Sequence, residues 1–435
     1  MKQFTVEVIG GGLAGCEAAY YLAERGVKVL LYEIKPKKYT PAHKSENLAE
    51  LVCSNSLKSN DVYGNACGLL KEEMRELGSM VIQIADQTKI PAGNALAVDR
   101  ELFAKGITEK IKNHPNITLI SEEKTQINYD IPTIVATGPL TTEALCEHIK
   151  EQTGAFYFFD AAAPIVLAES IDMDNAYVSD RYGEIGKGDY VNCPMDKPTY
   201  EEFYKQLLTA QRAPLHDFEN DKVFEGCMPV EVMAQRGVDT LRFGPLKPAG
   251  LTDPKTGRWP YACLQLRKEN EQGSMYNLVG FQTNLLFGEQ KRIFSMFPAL
   301  KNAEFVRYGV MHKNTFIDAP KSLDKYFKLK NKPYTYFAGQ ITGVEGYVES
   351  TASGLCCAIN LLRQLREQPQ IDWDNQTVMG ALCNYISTPN VNFQPMNANY
   401  GILAPVEYDK KHKEQKKIEM AKRSLEVIKQ IKSQL

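Results

Sequence analysis

The sequence predicts an α/β protein in which a split Rossmann-like domain carries an inserted α+β domain. Three observations support this. Residues 4–33 read as strand, Gly-rich turn, helix and strand, the opening of a doubly wound sheet. From about residue 155 to 310 that rhythm fades. It returns in "YTYFAGQITGVEGYVESTASGLCCAINLL", again a strand, a Gly-rich loop and a helix. The expected divisions are 1–154 and 311–408 for the split domain, 155–310 for the insertion and 409–435 for a C-terminal helix.

Each element has its own signal. "FTVEVI" alternates and is rich in Val and Ile, so it reads as a strand. "GGGLAGCEAAYYLAERG" gives a turn and a helix stopping at Gly26, and "VKVLLYE" the second strand. "LVCSNSLKSN" is small and polar and reads as a loop. "DRELFAKGITEKIKNH" has the spacing of an amphipathic helix, with Asp99 as a candidate cap. "ITLIS" and "PTIVATG" read as strands. "RFGPLKPAGLTDPKTGRWP" is rich in Pro, Gly and basic residues and reads as surface loops. The tail from Asp409 is Lys-rich and helical in pattern.

Bulk properties exclude several classes. A chain of 435 residues is too long for one simple core. Apolar content of 43% and charged content of 24% are those of a soluble globular protein. With a net charge of −2, nucleic-acid contacts must come from local basic patches. The 10 cysteines include no CxxC pair and no Cys/His spacing of zinc type, so neither a metal site nor a paired-cysteine redox motif is expected. The chain starts directly in a strand and has no apolar run of membrane-spanning length. Cytoplasmic location, reduced thiols and no membrane partner are expected.

Gly10, Gly12 and Gly15 fit GxGxxG between a strand and a helix, and Glu33 ends the second strand at the expected distance. Gly10 permits the tight turn, Gly12 lets backbone approach a pyrophosphate, and Gly15 allows close strand–helix packing. Gly11, Leu13 and Ala14 complete the loop, whose helix N-terminus favours phosphate. Glu33 would accept from ribose hydroxyls and repel a 2′-phosphate, which favours FAD or NAD. Ala136, Thr137 and Gly138 end a strand where flavoproteins place an adenylate-side loop. Gly339, Gln340, Tyr347 and Ser350 lie where a helix N-terminus could hold charge on a reduced flavin. This favours FAD, held in a split FAD-binding domain of the glutathione-reductase type. With no second GxGxxG, NADPH or NADH would act without a Rossmann site of its own.

"IGGGLAGCEAA", "LVCSNSLKS", "FEGCMPVEVMAQRG", "LRFGPLKPAGL", "LQLRKEN", "NLVGFQTNL" and "GQITGVEGYVESTASGL" together resemble the folate- and FAD-dependent tRNA (uracil-5-)-methyltransferases. The resemblance spans residues 4 to about 405. The last segment also resembles the larger flavoproteins that build carboxymethylaminomethyl groups on wobble uridine. The resemblance implies methylation of the T-loop uridine, position 54, of tRNA. Methylenetetrahydrofolate would give the carbon, reduced FAD the electrons, and NADPH or NADH would reload the flavin. It implies Cys227 as the thiolate that adds to uracil C6, and Cys53 as a second functional cysteine. Masking the flavin, assisting proton loss from C5 and partnering Cys227 all stay open for Cys53.

Each assignment has a plainer alternative. A lone cysteine is usually a small buried hydrophobe. A thiolate needs positive charge nearby, which Arg236 or Arg242 could bring to Cys227. Asp99 and Arg100 either begin a helix or stand near the flavin. Glu345 and Tyr347 fall in the loop beside the flavin ring, and His312 is one of only 6 histidines. Arg236, Arg242, Lys247, Lys255, Arg258, Arg267 and Lys268 are candidate tRNA phosphate contacts, as is the Lys-rich tail. A small-molecule FAD oxidoreductase and a non-catalytic tRNA-binding flavoprotein are the competing functions. Oligomeric state is left open.

Overall fold

In the computed structural model, residues 4–161, 163–213, 228–269, 273–309, 311–390, 393–408 and 413–435 are described. A five-stranded sheet runs in the order Thr335–Phe337, Thr133–Val135, Thr5–Ile9, Lys28–Glu33, Ile117–Ser121, and every pairing is parallel. The edge strand Thr335–Phe337 follows the insertion and the other four precede it, so the sheet is completed only after the insertion. Ala155–Ala161 leaves this half and Met311–Ile317 returns to it, and the two pair antiparallel as a ribbon. His312 stands in the ribbon opposite Asp160.

Between the ribbon strands lies a six-stranded sheet, ordered Tyr177–Val178, Tyr190–Met195, Ala262–Lys268, Met275–Leu278, Ile165–Leu167, Phe305–Arg307. All its pairings are antiparallel. Each sheet has its own apolar core. The second core is aromatic: the Phe203 ring meets those of Phe281 and Phe297, at 6.3 and 5.2 Å between centroids.

Helix Leu13–Ala23 is buried at ten of its eleven positions, Glu17 included. It lies against helix Tyr347–Leu365, where a Cβ on Gly354 would meet Ala14 O at 2.3 Å. Only glycine lets the two helices approach this closely. Helix Lys413–Lys432 buries Met420, Ala421, Ile428 and Ile431 and packs on helix Ala66–Glu76. The C-terminal segment is thus docked on the parallel-sheet half. Among the described residues, no helix is long and apolar enough to cross a membrane.

One expectation fails locally. "LVCSNSLKSN" is not loop throughout: Ser56–Ser59 forms a strand paired with Ala95–Val98. The buried Lys71 ammonium holds the Leu57 and Ser59 carbonyls at 2.8 and 2.6 Å. A lysine fixed by carbonyl oxygens gives this polar segment an anchor that strand propensity does not report.

Candidate functional site

At the C-terminal ends of the parallel strands lies a cleft of about 1130 Å³, its open mouth included. This is where open α/β sheets bind ligands. Gly10, Gly11, Gly12, Leu13, Ala14 and Glu33 line it from one side. Ala136, Thr137 and Gly138 line it from a second strand, and Gly339, Gln340, Tyr347 and Ser350 from the returning segment.

The lining suits a dinucleotide. Gly10 has φ 106°, and a Cβ there would strike Ala136 O at 2.4 Å. A Cβ on Gly12 would meet nothing within 4 Å, so open space faces the loop where a pyrophosphate would approach. Helix Leu13–Ala23 has no side-chain cap and no acid in its first turn, which leaves its first amides for an anion. The Glu33 carboxylate accepts from Gly11 N at 2.8 Å and Lys35 N at 3.0 Å, and so ties the second strand to the Gly-rich loop.

Two residues predicted to bind the cofactor are not in the lining. A Cβ on Gly15 would meet Gly10 O at 1.9 Å, so Gly15 serves the packing beneath the loop. Arg100 begins helix Arg100–Lys112, capped by the Asp99 side chain, and its guanidinium donates to Leu51 O and Glu269 Oε2, both at 2.8 Å. It links the two halves of the molecule.

Several lining residues gave no motif signal. Lys35, Thr40, His43 and Lys124 all face the cleft. Lys35 contacts Glu50 at 3.6 Å, while Lys124 pairs with Glu7 at 3.1 Å and lies over the Tyr32 ring. Burial, then the Lys35 charge, hold the His43 imidazole below its ordinary range. These positions gather only through tertiary contact.

Of the nine described cysteines, Cys53 alone is not buried. Burial pushes the Cys16 thiol far up, and it donates to Gly11 O at 3.3 Å as a packing group. Cys53 N donates to the Tyr347 hydroxyl at 2.8 Å, and the Cys53 side chain shares a hydrogen bond with the same hydroxyl. Tyr347 lines the cleft, so the Cys53 loop stands at its edge. Behind it, Lys58 pairs with Glu349 at 3.0 Å, joining the strand after Cys53 to the helix that begins at Tyr347. Glu345 is buried and accepts from Gln340 Nε2.

Cys227 and Glu225 lie outside the described residues. Met228 begins the next described segment and lines an open recess with Met233, Arg236, Val238, Asp239 and Phe243. Phe243 is 82% exposed.

The basic residues of the insertion separate into two groups. Lys247, Lys255 and Arg258 are exposed. Arg267 is not a surface cation: it is 6% exposed and donates to Ser54 Oγ at 2.8 Å and Asn55 Oδ1 at 3.0 Å. Burying a guanidinium requires such partners, and the Cys53 loop provides them. Arg242 lies 3.7 Å over the Tyr261 ring and pairs with Asp239 at 2.7 Å.

A family model described as glucose inhibited division protein A matches residues 5–369. The chain is 56% identical over 425 residues to a methylenetetrahydrofolate–tRNA-(uracil-5-)-methyltransferase TrmFO of Natranaerobius thermophilus, covering 96% of this chain and 98% of the relative. It is 54% identical over 428 residues to the protein of that name from Acetivibrio thermocellus, covering 98% of each. Among solved structures, Aquifex aeolicus GidA in its form I crystal superposes with a TM-score of 0.70 at 16% identity, covering 99% of this chain and 76% of that one. The form II crystal gives a TM-score of 0.68, covering 97% and 73%. At that identity the likeness establishes the fold. A family match over most of the length, with relatives above half identity across nearly all of it, leaves one placement: the chain belongs to the methylenetetrahydrofolate–tRNA-(uracil-5-)-methyltransferase family, within the wider glucose inhibited division protein A family.

Proposed function

We propose that this protein methylates C5 of a tRNA uridine, the T-loop position 54, with methylenetetrahydrofolate as carbon donor. One observation carries the reading to these residues: Tyr347 lines the dinucleotide cleft and holds the Cys53 amide at 2.8 Å. A half-exposed thiol therefore stands at the edge of a site built for FAD. When bound and reduced, FAD supplies the electron pair that converts the transferred methylene to a methyl group.

The chain's own residues do the rest. The Cys227 thiolate adds to uracil C6, which makes the poor nucleophile C5 reactive. C5 then bonds to the donated carbon. Loss of the C5 proton and cleavage of the donated carbon's bond to its nitrogen carrier leave an exocyclic methylene at C5. A hydride equivalent arriving at that carbon completes the methyl group, re-forms the ring double bond and expels the thiolate. The Gly-rich loop and the uncapped helix N-terminus hold the pyrophosphate of FAD, and Glu33 the ribose. Exposed Lys247, Lys255 and Arg258 meet tRNA phosphates. The target base leaves its stack to reach the thiolate.

NADPH or NADH is the proposed reductant, and it acts on the same cleft because the sequence holds no second GxGxxG. The cytoplasm is the proposed location, where the thiols of the nine described cysteines would stay reduced.

The test uses purified protein, an unmodified tRNA transcript, methylenetetrahydrofolate and NADPH. 5-Methyluridine should appear at the T-loop uridine, and its absence across salt and pH would refute the reading. Cys227→Ala should keep its yellow flavin and lose methylation; retained activity removes Cys227 as nucleophile.

A further inference from the structure

Every residue from Leu51 to Ser54 is held. Arg100 Nη1 donates to Leu51 O at 2.8 Å, and Arg307 Nη2 to Val52 O at 2.6 Å. The amides of Cys53 and Ser54 donate to the Tyr347 hydroxyl at 2.8 and 3.4 Å. Arg267 Nη2 donates to Ser54 Oγ at 2.8 Å. Arg100 and Tyr347 belong to the parallel-sheet half, whereas Arg267 and Arg307 come from strands of the six-stranded sheet. The loop is therefore clamped from both sides.

The charges around it are unequal. The charged and titratable side chains bonded to the loop are Arg100, Arg267, Arg307 and Tyr347, with Glu269 paired to Arg100 and Tyr190 beside Arg267. Arg100 forms an ion pair with Glu269 at 2.8 Å. Arg267 is engaged by Ser54 and Asn55. Arg307 is half-buried, and no carboxylate among the described residues forms an ion pair with it. Burial, then the nearby Arg100 charge, oppose its charged form, while Tyr347, Glu269 and Cys53 favour it.

We propose that Arg307 is a positioning residue for the reaction: it fixes the loop through Val52 O, and its guanidinium stabilises the Cys53 thiolate. A cation beside a partly exposed thiol is the arrangement that makes cysteine reactive near neutral pH. This rests on the reading that Cys53 acts in methyl transfer.

The test is the rate of Cys53 alkylation by iodoacetamide against pH in the flavin-loaded protein, read by mass spectrometry of the Cys53 peptide. In the wild type the half-maximal rate should fall well below about pH 8.5, the ordinary value for cysteine. Arg307→Gln should move the midpoint upward and slow alkylation at pH 7 about tenfold, while Arg307→Lys restores most of the rate. A wild-type midpoint at or above the ordinary value overturns the proposal, and that arm needs no variant to fold. Equal loss in the Lys and Gln variants overturns the charge role. Methyl transfer that survives Cys53→Ser overturns the underlying reading instead, so the two failures are distinguishable.

Discussion

Ser424 in the C-terminal helix donates to the Glu73 carboxylate, joining positions 351 residues apart. The same carboxylate accepts from Val378 N at 2.7 Å and Met379 N at 2.9 Å, at the start of helix Val378–Ser387. One buried side chain thus ties three helices. Glu73→Ala would leave two amides and a hydroxyl without partners. The expected cost is about 2–4 kcal/mol in chemical denaturation. A loss under about 0.5 kcal/mol, an ordinary surface effect, would show that the tie is dispensable.

Glu73 has a counterpart in Glu17, which accepts from Met80 N and Val81 N at 3.2 and 2.9 Å. Burial pushes each carboxyl up from 4.5 to about 7, against the hydrogen bonds that favour the anion. The folded state therefore binds these protons more tightly than the unfolded state. Their contribution is fully present below about pH 4.5 and is lost as pH rises through about 7, roughly 3 kcal/mol for each group. Glu73→Gln should flatten the fall in stability between about pH 4.5 and 7 relative to the wild type. An unchanged fall would mean that Glu73 does not titrate there.

The dinucleotide half of the site is legible in the sequence because it is local. Gly10, Gly12 and Glu33 lie within one βαβ unit, and each is demanded by a backbone approach or a short hydrogen bond. The clamp on Cys53 is not local. Arg307 reaches Val52 across 255 residues, and Arg267 reaches Asn55 across 212. No periodicity or spacing records such pairs. In sequence Arg267 is one basic residue among several, and only burial separates it from Lys247 and Arg258. The strand Ser56–Ser59 was hidden for a related reason, because its anchor is the Lys71 ammonium on a neighbouring helix.

A glycine of the cleft and a glycine of the helix packing should fail in different ways. Gly354→Ala drives a Cβ to 2.3 Å from Ala14 O and pushes apart the two helices that flank the cleft. It should lower the stability of the flavin-free protein by about 1–3 kcal/mol or more, an overpacking cost. Gly12→Ala meets nothing within 4 Å and keeps an allowed backbone at φ −77°. It should leave flavin-free stability unchanged and weaken FAD binding tenfold or more. Equal melting losses in the two variants would contradict this division between packing and ligand approach.

The same logic separates the basic residues of the insertion. A cation that meets tRNA phosphate releases counterions, so its removal lowers the slope of log affinity against log salt by roughly 0.7–0.9. Lys247→Ala and Arg258→Ala should each do this, since both side chains are exposed. Arg267→Ala should leave the slope unchanged, because its guanidinium is committed to Ser54 and Asn55. It should instead cut methylation at saturating tRNA, as the Cys53 loop loses one side of its clamp. Removing the cation also strands Asn55 Oδ1, while Asn55 Nδ2 remains bonded to the Val98 and Lys268 carbonyls. The loop should therefore loosen rather than unfold, and flavin should stay bound. A reduced salt slope in Arg267→Ala with undiminished turnover would place Arg267 on the RNA and refute the clamp.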